Sequence, residues 1–159
     1  MLRTWLAVAG VVVVLDQATK LAAERWLDFH EPVALIPFFN LTLSYNTGAA
    51  FSFLSEAGGW QRWFFVLLAV VVSALVVLWL SRLPPADRWT GAALAMVLGG
   101  ALGNVIDRVV YGHVVDFIDF YVGSWHWPTF NVADSAISVG VAILLVDGLF
   151  GQRAAQQRS

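Results

Sequence analysis

Four stretches of this chain are long and apolar enough to cross a lipid bilayer, and that constrains its fold more than any other feature. A spanning helix needs about 20 mostly apolar residues. The runs from Trp5 to Leu27, Trp63 to Leu80, Thr90 to Arg108 and Ala133 to Phe150 approach that length. Composition agrees, since 59% of the 159 residues are hydrophobic and 13% charged. The mean hydropathy of +0.73 lies well above that of water-soluble domains. The expectation is one all-α polytopic membrane domain over residues 1–159, without linker or internal repeat. Arg3 ahead of an apolar run resembles a secretory signal, but Asp16 and Lys20 interrupt where a small-residue cleavage site would stand. The first segment is therefore read as a retained helix.

Orientation follows from the basic residues of short flanks. Arg3, Arg82, Arg88, Arg153 and Arg158 fall on one side, against Arg25, Arg62 and the more deeply placed Lys20 and Arg108 on the other. This bias predicts both termini in the cytoplasm. Trp5, Trp79 and Trp89 then mark one interface, and Trp26, Trp60, Trp63, Trp125 and Trp127 the opposite one. Both long loops are extracytoplasmic. The first, over residues 32–59, contains Asn40-Leu41-Thr42-Leu43-Ser44-Tyr45-Asn46, whose polar and apolar residues alternate with period two and end at Thr47-Gly48. That pattern predicts a strand and a turn. Leu41, Leu43 and Tyr45, followed by Ala49, Ala50 and Phe51, are expected to rest on the helices or the lipid surface. In the third span Ala95, Gly99 and Gly103 form a small-residue stripe suited to close helix approach.

The chemistry-bearing candidates are the ionisable residues at membrane depth, which are costly there and tend to face cavities. Asp16, Lys20, Asp107, Arg108, Asp116 and Asp134 all fall toward the extracytoplasmic side. Asp134 begins the fourth span three residues after Asn131, a spacing that also suits a capping box. Asp116 is flanked by apolar residues that would raise a carboxyl pKa. Two carboxylates in contact share a proton, and one can activate water while the other protonates or hydrogen-bonds a scissile carbonyl. Asp107 and Asp119 compete as partners, and spacing does not choose, although each also reads as a solvated or ion-paired loop residue. Asp16 and Lys20 share a helical face, as do Asn104 and Arg108. His30, His113 and His126 have no metal-ligand spacing and read as bystanders. Without cysteine there is no thiolate nucleophile or thiolate metal site. No Gly-x-Ser-x-Gly elbow occurs. A net charge of -2 gives no reason to expect nucleic acid.

Five blocks, Asp16-Gln17-Ala18-Thr19-Lys20, Tyr45 to Phe51, Gly100 to Arg108, Val114 to Phe117 and Phe130 to Ser135, resemble in order and spacing the signature blocks of bacterial prolipoprotein signal peptidases. The resemblance runs from the first span to the fourth, with no departure at a matched functional position. It implies a four-helix inner-membrane aspartic peptidase, without metal or cofactor, that cleaves diacylglyceryl-modified prolipoproteins just before the lipidated cysteine. By position in the motifs it implies Asp116 and Asp134 as the catalytic pair. Asn46, Gly48, Asn104, Arg108 and Asn131 would line the site and contact substrate or peptide-antibiotic inhibitors. Asp16 and Lys20 would support it, and the loop with Asn46 would form an extracytoplasmic β-cradle. Membrane lipids are implied as surroundings, and a monomer as the working form. Two other classes remain as contrasts: an ion-coupled transporter, which would show flux, and an inert assembly subunit, in which the acids would affect stability alone.

Overall fold

In the computed structural model, which describes residues 1–48 and 59–156 (side chains to Leu149), the four apolar stretches are helices longer than the hydrophobic windows that announce them. They are α1 (Leu2–Trp26), α2 (Trp60–Arg82), α3 (Arg88–Val110) and α4 (Val132–Gln156). The extra turns carry interfacial groups such as Arg3, Arg82 and Trp89, because lipid leaves no partner for an unsatisfied backbone group and helices run on to water. The expectation of Ala49, Ala50 and Phe51 packing on the helices lies outside the described residues.

Helix α3 is the hub. It contacts α1, α2 and α4, and 61% of its most apolar window is buried, against 17–22% for the other spans. Its small residues make this possible. A side chain at Gly99 would meet Val12 Cβ at 2.6 Å, and one at Gly103 would meet Asp16 Oδ2 at 2.5 Å. The stripe therefore seats α1. Gly100, on a neighbouring face, lies against the Ala133 carbonyl and Ile137 Cγ1 of α4. Gly100→Ala should push α4 away at the turn that carries Asp134. The expected cost is about 1–3 kcal/mol, read as a lower melting temperature with reduced activity. Gly10→Ala, with nothing within 4 Å of the added carbon, should melt as the parent does.

Between the helices the chain builds a four-stranded antiparallel sheet, ordered β1 (Val33–Ile36), β2 (Phe39–Asn46), β3 (Val114–Val122) and β4 (Trp125–His126). The predicted strand is β2. It pairs with β3 so that Ser44 lies opposite Asp116 and Asn46 opposite Val114, with a bulge between Leu41 and Ser44. The first two strands join α1 to α2 and the last two join α3 to α4, so the whole sheet lies at one end of the bundle. Leu43, Val115 and Phe117 pack with Ala23 of α1 and seat the sheet on the helices. Tyr45, on the same strand, is 40% exposed, stacks on Phe29 and lies tilted against His113, where its hydroxyl can stay wet.

Candidate active site

The site forms where β3 and the first turn of α4 converge on the last turns of α1 and α3. The Asn131 amide oxygen accepts from the Asp134 backbone N–H at 2.9 Å. Asp134 Oδ2 in return accepts from the Asn131 N–H at 3.3 Å, so the capping box read from the sequence is present. The cap is also part of the site. The Asn131 side-chain amide nitrogen donates to Asp116 Oδ1 at 2.7 Å, to Asn104 Oδ1 at 3.2 Å and to the Val115 carbonyl at 3.2 Å. One fully buried asparagine thus holds the end of α4, the middle of β3 and, through Asn104, helix α3.

Asn104 completes the ring by donating to Asp134 Oδ1 at 2.8 Å. Its orientation is fixed by a cation, because Lys20 Nζ donates to Asn104 Oδ1 at 2.9 Å. Lys20 also lies 2.8 Å from both Asp16 Oδ2 and Asp107 Oδ2. Asp16 Oδ1 accepts the otherwise orphaned Ala133 N–H of α4 at 2.9 Å, and Asp107 Oδ2 accepts the Val115 N–H at 3.1 Å. Gln17 donates to Asp107 Oδ1 at 2.8 Å. Asp107 is therefore no solvated loop residue, since it lies in α3 as a buried partner of Lys20. Nor does Arg108 pair with it. Arg108 Nη2 donates to the Gly48 carbonyl at 2.8 Å, and its guanidinium sits 5.2 Å over the Phe65 ring, which ties the end of the β2 segment to the bundle.

Asp116 is 1% exposed and accepts a longer, 3.4 Å hydrogen bond from Asn46 on its second oxygen. Burial, and after it the charge of Asp134, pushes its carboxyl up to about 7, against the opposing pull of Asn46, Asn131 and Lys20. Asp134 reaches a cleft of about 490 Å³ whose walls include Asn46, Asn104, Arg108, Phe130, Ile137 and Val139. Among the described residues, no group of three or more His, Cys, Asp or Glu side chains is arranged to hold a metal ion.

A buried ring of amides and carboxylates thus opens on an apolar cleft at one end of four helices of membrane-span character. The model of the family described as signal peptidase (SPase) II matches residues 8–150. The chain belongs to the signal peptidase II family. Among its relatives, the lipoprotein signal peptidase of Hydrogenovibrio crunogenus is 58% identical over 145 residues, covering 90% of this chain and 82% of that protein. The one from Aeromonas hydrophila subsp. hydrophila is 53% identical over 150 residues, with 94% and 90% covered. A solved structure described as a bacterial membrane enzyme at 2.3 Å resolution superposes with a TM-score of 0.81 and 33% identity, covering 92% of this chain and 87% of that one. Membership in the signal peptidase II family makes this a peptidase and a multi-pass bacterial membrane protein.

Two groups escaped the sequence reading. His126 was read as a bystander, yet its Nδ1 lies 2.8 Å from Asp119 Oδ1, and Asp119 is 2% exposed on β3 rather than solvated in a loop. The pairing needs the β3–β4 hairpin, whose two-residue second strand leaves no periodic signal. Asp147, in the distal half of α4, accepts from Thr90 Oγ1 at 2.9 Å. That acid was legible as an ionisable residue inside an apolar run.

Proposed function

We propose that Asp116 and Asp134 are the catalytic pair of an aspartic endopeptidase that removes the signal peptide from diacylglyceryl-modified prolipoproteins, cutting just before the lipidated cysteine. Prolipoprotein processing follows from family membership, and nothing favours an ion-coupled transporter. The observation that carries the aspartic mechanism is the single asparagine, Asn131, that hydrogen-bonds Asp116 through its amide nitrogen and the Asp134 backbone through its oxygen. With Asp116 holding a proton and Asp134 reaching the cleft, the chemistry divides. Asp134 takes a proton from water as the oxygen attacks the scissile carbonyl carbon, and Asp116 gives its proton to the carbonyl oxygen. On collapse of the tetrahedral species Asp134 passes its proton to the departing amine and Asp116 recovers its own from the hydroxyl. The long contact from Asn46 to Asp116 is the one a substrate carbonyl displaces.

Asn46, Asn104 and Arg108 line the cleft and, with Gly48 tied to Arg108, would hold substrate, and Asn131, with no exposed surface, serves by positioning. Asp16 and Lys20 support it from below. The distribution of basic residues and tryptophans supports termini in the cytoplasm and a site at the extracytoplasmic face. Peptide antibiotics that inhibit the family would occupy the same cleft. A monomer is the working form expected from the resemblance.

A substrate anchored by its signal helix and acyl chains enters from the lipid with its orientation largely set, which lowers the entropic cost of reaching the pair. Purified enzyme should therefore process a prolipoprotein lacking the diacylglyceryl group poorly, and equal turnover with and without it would overturn lipid-side entry. The pH dependence follows from Asp116. The pair holds its proton below the raised value and loses it above, so kcat/KM should fall as pH rises through about 7. The decline should approach tenfold per unit, with the midpoint belonging to the pair. A profile flat to pH 9 would exclude a proton on this pair as the working acid.

A further inference from the structure

We propose that a second cavity, built around Asp119 and His126, is a subsite for the mature segment of the substrate, the residues that follow the scissile bond. The cavity measures about 490 Å³ and shares Trp127, Pro128 and Thr129 as a wall with the catalytic cleft. The polar residues of β2 connect the two spaces. Asn46 lines the cleft and donates to Asp116, and the next two polar residues back along the strand, Ser44 and Thr42, line the second cavity.

Direction decides which half of the substrate it fits. The catalytic cleft is walled by Ile137 and Val139 of α4, within a membrane span, which suits the apolar signal segment. In the other half of the cut chain the acyl chains hold the lipidated cysteine at the bilayer, and the residues beyond it lead toward water, over the sheet. Asp119 and His126 are arranged for such a guest. The Asp119 carboxylate accepts from His126 Nδ1, from Asn40 at 3.3 Å and from Thr42 at 3.0 Å. A carboxylate only accepts, so Nδ1 carries a proton, and Nε2 of the half-exposed ring is left for a polar group of the peptide main chain. Thr42 and Ser44 add hydroxyls to the same cavity wall. An extended main chain with small side chains is the class of ligand that fits.

This rests on the assignment of Asp116 and Asp134 as the hydrolytic pair, and the test separates the two. Purified enzyme would be given lipidated substrates with one signal peptide and a mature segment that ends directly after the cysteine or extends about six residues beyond it. The parent should prefer the extended substrate by about tenfold in kcat/KM, the scale of one or two hydrogen bonds. In His126→Phe and in Thr42→Val that ratio should fall toward one through KM. A pair that merely braces the hairpin would slow both substrates alike and leave the ratio intact, which would overturn the subsite. A parent ratio of one would also overturn it. If His126→Phe does not fold, Thr42→Val and Ser44→Ala carry the test, because neither breaks the Asp119–His126 pair. Asp116→Asn serves as the control: cleavage by that variant would end the hydrolytic assignment, while the parent's dependence on length would still report on the cavity.

Discussion

Asp116→Asn and Asp134→Asn will each lower the single-turnover rate of prolipoprotein cleavage by at least about 10³-fold while the protein stays folded. The amide is nearly isosteric with the acid, so the fold has little reason to respond. At position 134 an amide oxygen still accepts from Asn104 Nδ2, the shorter of the two side-chain contacts at 2.8 Å. At position 116 an amide oxygen still accepts from Asn131 Nδ2 at 2.7 Å. Neither amide can take a proton from water, and neither can hold the shared one. The double variant should be no slower than the worse single variant, because residues that act as a unit are not additive. Melting temperature and elution as a single species in detergent provide the check on folding, and a folded variant that retains cleavage would break the assignment.

The second large effect concerns stability. Lys20→Met should destabilise the protein by about 3–5 kcal/mol, the usual cost of leaving buried charge without its partner. Lys20 is 3% exposed and sits between two carboxylates at 1% exposure or less, both at 2.8 Å. Those carboxylates are committed to the fold, since Asp16 holds the Ala133 N–H and Asp107 the Val115 N–H. Removing the cation therefore strains the starts of both α4 and β3, and it frees the Asn104 amide to rotate away from Asp134. Thermal unfolding should show a large drop in midpoint together with lost activity. Adding Asp107→Asn to Lys20→Met should restore part of the midpoint without restoring activity. Unchanged melting in Lys20→Met would mean that the buried triad is not what supports the site.

Much of this was legible in the residues because membranes impose simple rules. Spans announce themselves by length and hydropathy, and β2 by strict alternation. The small-residue stripe of α3 appeared at four-residue spacing because a helix places such residues on one face. Individual partners were not legible. On spacing Asp116 could be matched to Asp107, Asp119 or Asp134, and spacing gives no sign that Lys20 lies against Asp107 and His126 against Asp119. The spacing of Asn131 and Asp134 suits a capping box without excluding a functional role, and the box is present. A short amide can cap its own helix with the oxygen and reach a neighbouring carboxylate with the nitrogen, as Asn131 does toward Asp116. The strands β1, β3 and β4 gave little periodic signal. In β3 polar residues such as Asp116 and Asp119 are buried, which defeats an alternation rule built on water facing one side.

The proton count of the aspartate pair tests the account most directly. Infrared difference spectra of the purified enzyme, with aspartate carboxyls isotopically labelled, would follow protonated carboxyl absorption as pH is raised. One protonated aspartate should persist to neutral pH and titrate near 7, vanish in Asp116→Asn, and titrate at lower pH in Asp134→Asn, where the neighbouring charge is gone. A parent with every aspartate ionised from pH 5 upward would contradict it.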